Sequence, residues 1–509
     1  MEKRNKLERR DFLKGLSTLP FLGWFAFGFK DNITQQISKK QNDYQNILKI
    51  KQLDAPKEKL IPSSAVNGKR LRFGLIGNGW RGEQLMHTLA YAHPDAIEKN
   101  TSNGKLSGYF QKFVDNDDVN VEYAGVCDTF KVYAERGAAF QSLKNSSPQI
   151  RIYENYREMI ADDTIDAVII ATPDHMHATM AIDAARAGKH VYLEKPMTHT
   201  IEEAVELRNV IKETGVTFQL GHENRQQMSF KIAREMYQKG VLGDVTVVRT
   251  NTHRNGLHGA WIRERPFDHL ASEETVDWKE FLGKAEWQPF DKKKYFNWQR
   301  YSQFGTSVTG NNFSHQYDCV NQVLDLGIPE SVVALGGQYY YKDHGDMPDV
   351  LNAVFNYPER GLSMIYDASL KHGIYRPSQI LGSEARMDVD REIRLFKDNR
   401  SERYKNVETF PGEPMYHYEA NKDVDAVTSA TAHAYIAGGY GPTYIDGKVI
   451  DATFLHLKEW FDAIRTGAKT SCNIDIGFEE AVTFNLANLA YLHKKTIVWD
   501  KTNEKAIIG

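Results

Sequence analysis

This sequence has few cysteines and a net charge close to zero. Its three cysteines, at positions 127, 319 and 472, are too few and too far apart for a disulfide framework or a thiolate zinc site. Lys and Arg total 64 against 67 Asp and Glu, which leaves a net charge of −3. No excess of positive field exists to hold a nucleic acid. We therefore expect a fold that depends on its hydrophobic core and a protein without a nucleic-acid partner.

The composition also lacks the extremes of a disordered or a polytopic membrane protein. Hydrophobic residues make up 41% and charged residues 26% of the 509 positions, which is ordinary for a chain that buries a full core. At about 150 residues per domain, the length predicts roughly three domains or two large ones. A single short module is excluded.

The N-terminus has the pattern of an export signal. Arg9 and Arg10 lead into an uncharged stretch, Gly15 to Phe29, and the arrangement resembles a twin-arginine signal. This stretch is shorter than the roughly 20 apolar residues that a membrane-spanning helix needs. The alternative is a basic helix cap followed by a buried helix, which Pro20 and Gly23 disfavour because both are poor in a helix interior.

We expect residues 1–30 to direct the folded protein out of the cytoplasm, with the periplasm as its destination. Residues 26–28 form only a weak cleavage site, so an uncleaved signal that tethers the protein to the membrane stays open. Residues 31–69 are polar and show no sustained apolar period, which predicts a linker.

A glycine-rich turn follows the first clear strand candidate. Residues 72–76 predict a short apolar strand and residues 83–92 a helix, so the pattern G-x-G-x-x-G stands between the two. The first glycine permits a tight turn, the second lets the backbone approach a pyrophosphate, and the third lets helix and strand pack closely. Free N–H groups at the helix start favour phosphate. The expected cofactor-binding residues of this turn are Gly77, Asn78, Gly79, Trp80, Arg81 and Gly82.

An aspartate ends the next predicted strand. Residues 121–127 lead to Asp128, whose carboxylate suits both adenosine ribose hydroxyls and would repel a 2′-phosphate, which favours NAD over NADP. Asp128 lies 46 positions after Gly82, farther than the usual spacing of about 20. We assign the excess to a surface insertion over residues 94–120. The alternative is a strand-end aspartate that only caps the next helix.

Two further strands alternate with helices. Residues 167–171 and 191–193 are apolar, and residues 178–187 between them predict a helix. Apolar strands that alternate with amphipathic helices indicate a doubly wound parallel sheet, whose ligands lie at the carboxyl ends of the strands. Residues 70–197 are therefore predicted to form a Rossmann domain.

In their order along the chain, these motifs resemble the Gfo/Idh/MocA oxidoreductase family from about Leu71 to Asp500. The resemblance rests on Gly77 to Gly82, Thr172-Pro173-Asp174, His177, Glu194-Lys195-Pro196, His315 and Asp318. It implies an α/β protein in which the Rossmann domain precedes a C-terminal α+β domain, residues 198–509, with a large, open, mostly antiparallel sheet. It also implies that the cofactor is bound by Thr172, Pro173, His177, Glu194 and Lys195.

The remainder of the chain fits that second domain. Residues 330–341, 350–357 and 362–368 alternate enough to predict strands of an open sheet. Family members often pair through this sheet, so we expect a homo-oligomer. Residues 454–466 and 478–494 predict amphipathic helices, which the family packs back against the first domain.

The second domain is expected to provide the substrate face. Arg225 follows a predicted strand, and in the family this stretch lies at the cleft; the alternative is a surface arginine. Trp298 and Tyr301 lie where aromatic and polar residues interleave, which suits a sugar because its faces stack and its hydroxyls need hydrogen-bond partners. An ordinary core would explain the same pattern nearly as well.

Three polar residues are spaced to share one helical face. Asn311 and His315 are four apart, and Asp318 is three farther on. A metal site lacks a third ligand at suitable spacing, so no metal is expected. A hydrogen-bonded core histidine is the other alternative. The resemblance implies instead that His315, with Lys195, attends the hydroxyl being oxidised.

The choice of general base in that reaction can be limited to two residues. Family members often have aspartate where this sequence has Asn311, and an amide cannot take a proton, so the general base is His315 or Lys195. Asn311 and Asp318 are then expected to bind substrate.

These observations predict an NAD-dependent oxidoreductase that acts on a sugar, polyol or glycoside. The rival is a glycoside hydrolase that oxidises its sugar, eliminates the aglycone, adds water and returns the hydride. A third hypothesis is a catalytically silent sugar-binding module. Because free NAD would be scarce in the periplasm, an exported enzyme would have to hold its cofactor tightly through each catalytic cycle.

Overall fold

A computed structural model describes residues 68–407, 409, 412–419, 442–445 and 448–509. The expected export signal and nearly all of the expected linker lie outside these residues, so both stay predictions.

The first domain is built on a parallel sheet whose central strands are buried on both faces. All four residues of the strand Ala167–Ile170 are buried, which is typical of a sheet covered by helices on both sides. The strands are β1 (Leu71–Ile76), β2 (Tyr91–Ala92), β3 (Thr101–Ser102), β4 (Lys105–Leu106), β5 (Val121–Cys127), β6 (Gln141–Ser142), β7 (Arg151–Ile152), β8 (Ala167–Ile170), β9 (His190–Leu193) and β10 (Phe218–Leu220). The helices are α1 (Trp80–Thr88), α2 (Pro94–Lys99), α3 (Gly108–Val114), α4 (Lys131–Ala138), α5 (Tyr156–Ala161), α6 (Asp174–Arg186) and α7 (Ile201–Thr214).

The six main strands run in the order β10-β9-β8-β1-β5-β7, and every neighbouring pair is parallel. Strand order reverses between β1 and β5, the position where ligands of doubly wound sheets bind. The expected surface insertion folds into α2, the β3–β4 hairpin and α3. It has a small core of its own, in which Phe110 and Phe113 pack with Ala90 and Ala92.

The second domain contains a ten-stranded, mostly antiparallel sheet. Its strands are β11 (Val245–His253), β12 (Ser331–Gly337), β13 (Val350–Tyr357), β14 (Leu362–Ser369), β15 (Ser378–Gly382), β16 (Ala385–Val389), β17 (Glu392–Lys397), β18 (Tyr416–Glu419), β21 (Ile497–Asp500) and β22 (Lys505–Ile508), with a separate hairpin of β19 (Pro442–Ile445) and β20 (Lys448–Asp451). Its helices are α8 (Met228–Gln238), α9 (Trp278–Leu282), α10 (Lys292–Phe296), α11 (Ser314–Leu324), α12 (Ala452–Thr466) and α13 (Ile474–His493). This arrangement confirms the expected fold class.

One face of the sheet packs on helices and the other is exposed. Along β13, buried and exposed residues alternate, as a half-buried strand requires. On the inner face Phe313, just before α11, stacks on Phe355 with ring centroids 4.6 Å apart. On the outer face Leu335 is 69% exposed, so apolar surface remains uncovered in this chain.

The C-terminal part of the chain returns to the first domain. In α12, Trp460 packs against Tyr192 of β9 at 5.6 Å, and Phe461 packs against Phe73 of β1 at 5.7 Å. The two domains therefore share one continuous hydrophobic core. Among the described residues, no helix has the length and apolar character needed to cross a membrane.

Candidate active site

A cavity of about 860 Å³ lies between the two domains, at the carboxyl ends of β1, β5 and β8. It is at the large end of the range for small-molecule sites. Most of the residues expected to form the site line it. They are Gly77, Asn78, Gly79, Trp80, Arg81, Asp128, Thr172, Pro173, Glu194, Lys195, Trp298, Asn311 and His315.

Five expected residues do not line the cavity. Gly82 and His177 lie beneath it, and both hold its walls in place. Tyr301 packs at the edge of an aromatic cluster around Phe281 and Phe304. The positions of these five do not bring them to a ligand in the cavity. They are Gly82, His177, Arg225, Tyr301 and Asp318.

The glycine-rich turn has the geometry that its sequence predicts. Gly77 has a φ of 90°, in the left-handed region that glycine favours. A Cβ on Gly82 would lie 2.1 Å from the carbonyl oxygen of Gly77, so only glycine allows α1 to pack this closely. A Cβ on Gly79 would meet no protein atom within 4 Å. Gly79 thus borders open space at the start of α1, where a diphosphate would lie against free N–H groups.

Asp128 is fixed by the same turn. Its carboxylate accepts hydrogen bonds from the backbone N–H of Asn78 at 2.7 Å and of Phe130 at 2.9 Å. Burial raises its pKa to about 6, although both hydrogen bonds oppose the shift. The carboxylate also lines the cavity, so its remaining lone pairs face the site and fit the ribose hydroxyls of a dinucleotide.

Arg81 connects the glycine-rich turn to the Glu194-Lys195-Pro196 motif. Its Nε donates to Glu194 Oε1 at 2.6 Å, and its Nη2 lies 3.3 Å from Glu223 Oε2. Glu194 is buried, so this ion pair provides the compensating charge that a buried carboxylate requires. The backbone N–H of Lys195 donates to Glu194 Oε2 at 3.3 Å. The two motifs are therefore held as one unit.

His177 holds together two loops of the first domain, the one after β8 and the one after β9. Its Nδ1 lies 2.7 Å from the carbonyl oxygen of Pro196, and its Nε2 lies 2.9 Å from that of Thr172. The histidine thus ties the loop after β8 to the loop after β9. Its contribution to cofactor binding is through the positions of these loops.

Lys195 reaches across to the second domain. Its Nζ lies 3.5 Å from the carbonyl oxygen of Asn311. Burial lowers the pKa of this ammonium group, while the nearby carboxylates Glu194 and Asp174 oppose the shift. The lysine therefore places its side-chain nitrogen at the junction of the two domains, where it lines the cavity.

Asn311 lies just N-terminal to the α-helix that bears His315. It lies in a π-helical turn, Thr309–Phe313, directly before α11. Its amide nitrogen donates to Asp174 Oδ2 at 3.2 Å. Asp174 also accepts from the backbone N–H and the hydroxyl of Thr306, at 2.9 and 2.6 Å. This buried aspartate belongs to the Thr172-Pro173-Asp174 motif but was missing from the predicted site, and it positions Asn311 at the cavity.

His315 is a neutral imidazole aimed into the cavity. Its pKa lies well below the usual histidine range, chiefly because the ring is buried and further because Lys195 and His222 are near. The ring packs edge-on against His222, with centroids 5.4 Å apart. A neutral ring nitrogen that faces the site is able to accept a proton.

Arg225 and Asp318 form a buried ion pair behind His315, which corrects their expected place at the substrate. Arg225 Nε donates to Asp318 Oδ1 at 2.7 Å, and Asp318 is 1% exposed. Asp318 Oδ2 lies 4.0 Å from His222 Nδ1, and His222 Nε2 lies 2.6 Å from Glu480 Oε2. Asp318 lies on α11 three residues after His315, as the spacing predicts, but it pairs with Arg225 and does not line the cavity.

Sequence reasoning missed one whole wall of the cavity. Residues 254–267, after β11, contribute several aromatic and basic side chains, and α2 of the insertion adds a further edge. No short motif marks these residues. The excess of arginine in the segment was the one available signal. The side chains are Arg254, His258, Trp261, Arg263, Arg265 and Phe267 from the loop, and Asp95, Lys99 and Asn100 from the insertion.

The comparisons with known proteins agree with this geometry. The family model described as "Oxidoreductase family, NAD-binding Rossmann fold", of the Gfo/Idh/MocA group, matches residues 71–222. An uncharacterized oxidoreductase of Streptococcus pneumoniae is 26% identical over 283 residues, 55% of this chain and 58% of the relative. A 2,7-anhydro-N-acetylneuraminate hydratase of Escherichia coli is 27% identical over 209 residues, 41% of this chain and 46% of the relative. The chain thus spans about half the length of these two relatives.

Other matches extend over nearly the whole of the compared protein. Levoglucosan dehydrogenase of Pseudarthrobacter phenanthrenivorans is 23% identical over 441 residues, 81% of this chain and 94% of the relative. A solved structure of levoglucosan dehydrogenase with NADH and levoglucosan superposes with a TM-score of 0.56 at 17% identity, over 84% of this chain and 99% of that one. That likeness shows a shared two-domain fold.

The class of protein follows from these findings. Residues 71–222 match the NAD-binding domain of the Gfo/Idh/MocA oxidoreductase family, in agreement with the expected enzyme class and with NAD as the cofactor.

The acidity of Asp128 predicts how NADH affinity depends on pH. Ribose hydroxyls donate to the ionised carboxylate, whose pKa is about 6, so affinity is full above pH 7 and is lost as pH falls through 6. We expect binding about tenfold weaker at pH 5 than at pH 7.5. Fluorescence titration with NADH measures this. Asp128→Asn should bind weakly and with a flat profile, whereas a flat profile in the wild type would exclude Asp128 as the ribose ligand.

Proposed function

We propose that the protein is an NAD-dependent oxidoreductase that oxidises a hydroxyl-bearing carbon of a sugar, polyol or glycoside. The observation that carries the proposal is the convergence of Lys195 and His315 on one cavity with the glycine-rich turn. A cation and a neutral base then face the same space, as proton removal from a hydroxyl requires. Trp298 adds an aromatic surface to this cavity, and it suits the face of a sugar ring.

The two side chains have distinct roles in this proposal. The Lys195 ammonium donates a hydrogen bond to the reacting oxygen and stabilises the negative charge that develops there. A ring nitrogen of His315, neutral because of its burial, accepts the hydroxyl proton. Asn311, held by Asp174, orients a neighbouring substrate hydroxyl. Bound nicotinamide supplies the acceptor for the hydride that leaves the same carbon.

The chain's residues fit the dinucleotide along its length. The Gly77–Gly82 turn and the start of α1 suit the diphosphate, Asp128 suits the adenosine ribose, and Thr172 and Pro173 line the path toward Lys195. We expect the protein to purify with about one NAD(H) per subunit, of which dialysis removes little. Extraction with acid followed by an enzymatic NAD assay measures the content. A protein that emerges empty and binds NAD only on addition would contradict the retained-cofactor mechanism.

A redox-neutral glycosidase is the second candidate. Two of the relatives are 2,7-anhydro-N-acetylneuraminate hydratases, one from Escherichia coli and one from Mediterraneibacter gnavus, and a water-adding relative favours this candidate. Oxidation of the sugar would acidify the neighbouring C–H, elimination would expel the aglycone, and water would add before the hydride returns. The same Lys195 and His315 would serve both reactions.

One screen tests both candidates. The purified protein is mixed in turn with sugars, polyols and p-nitrophenyl glycosides without added NAD, and absorbance is followed in the reduced-nicotinamide band and in the nitrophenol band. A dehydrogenase reduces its bound cofactor once and stops. A glycosidase releases nitrophenol over many turnovers with no lasting reduction. The third hypothesis, a catalytically silent sugar-binding module, predicts a bound cofactor that no sugar in the panel reduces.

Export and assembly complete the proposal. The paired arginines Arg9 and Arg10 lie outside the described residues, and they support delivery to the periplasm. Arg9→Lys/Arg10→Lys should leave the protein in the cytoplasm on cell fractionation.

For assembly, the exposed Leu335 and Val333 on the outer face of β12 support pairing through the sheet. Light scattering after gel filtration reports the subunit number, and a monomer at micromolar concentration would exclude this pairing.

A further inference from the structure

The loop after β11 forms a strap that crosses from the second domain to the first. We use the name strap for residues 254–277. Its far end is anchored directly after Asp128: the N–H of Lys131 donates to the carbonyl of Thr275 at 2.9 Å, and the N–H of Asp277 donates to the carbonyl of Thr129 at 2.7 Å. Phe130 and Val276 form an antiparallel bridge between these two bonds. The strap therefore closes the cavity on the side of the adenosine ribose.

The middle of the strap presents side chains to the cavity. Phe267 packs against α4, where the guanidinium of Arg136 lies 4.6 Å from the centre of its ring. Arg265, two residues earlier, lines the cavity and is half-buried. The strap thus carries a guanidinium into the space that the cofactor would occupy.

Arg265 differs from other arginines of the cavity in its surroundings. Arg81 is paired with Glu194, and Arg136 lies 3.3 Å from Asp95. Within the described part of the chain, no carboxylate lies within ion-pair distance of Arg265. Burial lowers the pKa of this guanidinium, and Tyr133 is the ionisable residue that opposes the shift. A partly desolvated cation without a counter-ion is costly, and an anionic ligand would compensate it.

The neighbours of Arg265 indicate which anion this is. The carbonyl of Tyr133 accepts a hydrogen bond from Asn78 Nδ2 at 2.8 Å, so α4, which carries Tyr133, is tied to the glycine-rich turn. The N–H of Asn78 in turn donates to Asp128. Arg265 lines the same cavity as Asn78, Tyr133 and Asp128. The group expected there is the diphosphate of the dinucleotide, which carries the cofactor's negative charge.

We propose that Arg265 is a cofactor-binding residue that pairs with the diphosphate of NAD from the second domain and so slows its release. The proposal rests on the assignment of NAD to this cavity. The first domain holds the diphosphate through backbone N–H groups, and Arg265 adds the charge-assisted bond that those groups do not provide. Because the strap must move before this bond can be lost to solvent, the cofactor is enclosed as well as bound.

The test separates the diphosphate from the rest of the ligand. Apoprotein stripped with charcoal is titrated with adenosine, ADP and NADH by calorimetry, in the wild type, Arg265→Ala and Arg265→Lys. We expect Arg265→Ala to weaken ADP and NADH by about 30-fold or more, with adenosine changed less than twofold, and Arg265→Lys to fall between. The release rate of NADH, followed by fluorescence after a chase with excess NAD, should rise by a similar factor.

Other outcomes overturn the proposal. ADP affinity within twofold of the wild type would show that Arg265 does not touch the diphosphate. A parallel loss of adenosine affinity would show that the variant only disorders the strap. Arg186→Ala, at a surface ion pair with Glu206, is the matched control and should change nothing. If the wild type itself binds neither ADP nor NADH, the function proposed above fails first, and that result is distinct from a failure of Arg265.

Discussion

Replacement of Gly79 by aspartate is expected to abolish NADH binding in a protein that still folds. Gly79 caps the N-terminus of α1 with a φ of −69°, which any residue can adopt, and aspartate is a preferred residue at that position. A side chain there meets no protein atom and enters the open groove instead. The added carboxylate would occupy the place of the diphosphate and repel it.

Two substitutions at this position distinguish volume from charge. We expect Gly79→Ser, also a good N-cap, to weaken NADH binding about tenfold, and Gly79→Asp to weaken it more than about 100-fold, because charge repulsion adds to the loss of space. The melting temperature of both apoproteins should stay at the wild-type value or rise slightly. Fluorescence titration and thermal unfolding measure the two effects. Retention of NADH by Gly79→Asp would place the diphosphate elsewhere.

Gly82 provides the contrast within the same motif. A Cβ at this position overlaps the carbonyl oxygen of Gly77, so Gly82→Ala should unfold at a lower temperature even without cofactor. The second and third glycines of one sequence pattern therefore serve binding and folding respectively. The structure shows these two different roles, which the sequence pattern alone does not distinguish.

Loss of the Lys195 ammonium is expected to have the second large effect. Lys195→Ala should lower kcat on the substrate found in the screen by about 10²- to 10⁴-fold, because the developing charge on the reacting oxygen loses its hydrogen-bond donor. NADH binding should change much less, since the glycine-rich turn and Asp128 are intact. Single-turnover absorbance of the bound cofactor measures the chemical step directly.

Further variants provide a control for Lys195 and test which residue accepts the hydroxyl proton. Lys212→Ala removes an exposed lysine on α7 that pairs with Asp475 on α13, and it should leave turnover unchanged. His315→Ala should also slow the chemical step, and the double variant should be little slower than either single variant if the two residues act as a unit. Wild-type turnover in Lys195→Ala would remove this residue from the reaction.

The first domain could be predicted from sequence in detail because its signals are local. The glycine spacing and the apolar strands define the sheet, and the strand predicted over residues 121–127 coincides with β5. Hydrophobic period and turn chemistry act over a few residues, so neither needs the tertiary structure. Five of the six residues of the turn line the cavity, and Gly82 instead packs α1 closely against Gly77.

The second domain's share of the site could not be predicted in this way. Whether Asp318 faces a substrate or Arg225 depends on a residue 93 positions away. The π-helical turn that holds Asn311 is set by Asp174, which belongs to the other domain. The strap has no periodicity, and its position follows from backbone bonds to β5 and α4. Such contacts exist only after the domains have docked.

The packing of α12 on the first domain limits how the cofactor can escape. Wide opening of the cleft would separate Trp460 from Tyr192 and Phe461 from Phe73, at the cost of exposing large aromatic surface to water. Detachment of the strap breaks a few backbone hydrogen bonds instead, so local unfolding is the cheaper route. The residence time of NADH should then follow the protection of the Lys131 amide against hydrogen exchange. The strap then determines how long NADH stays bound, whereas the fixed packing of the two domains determines the geometry of the reaction.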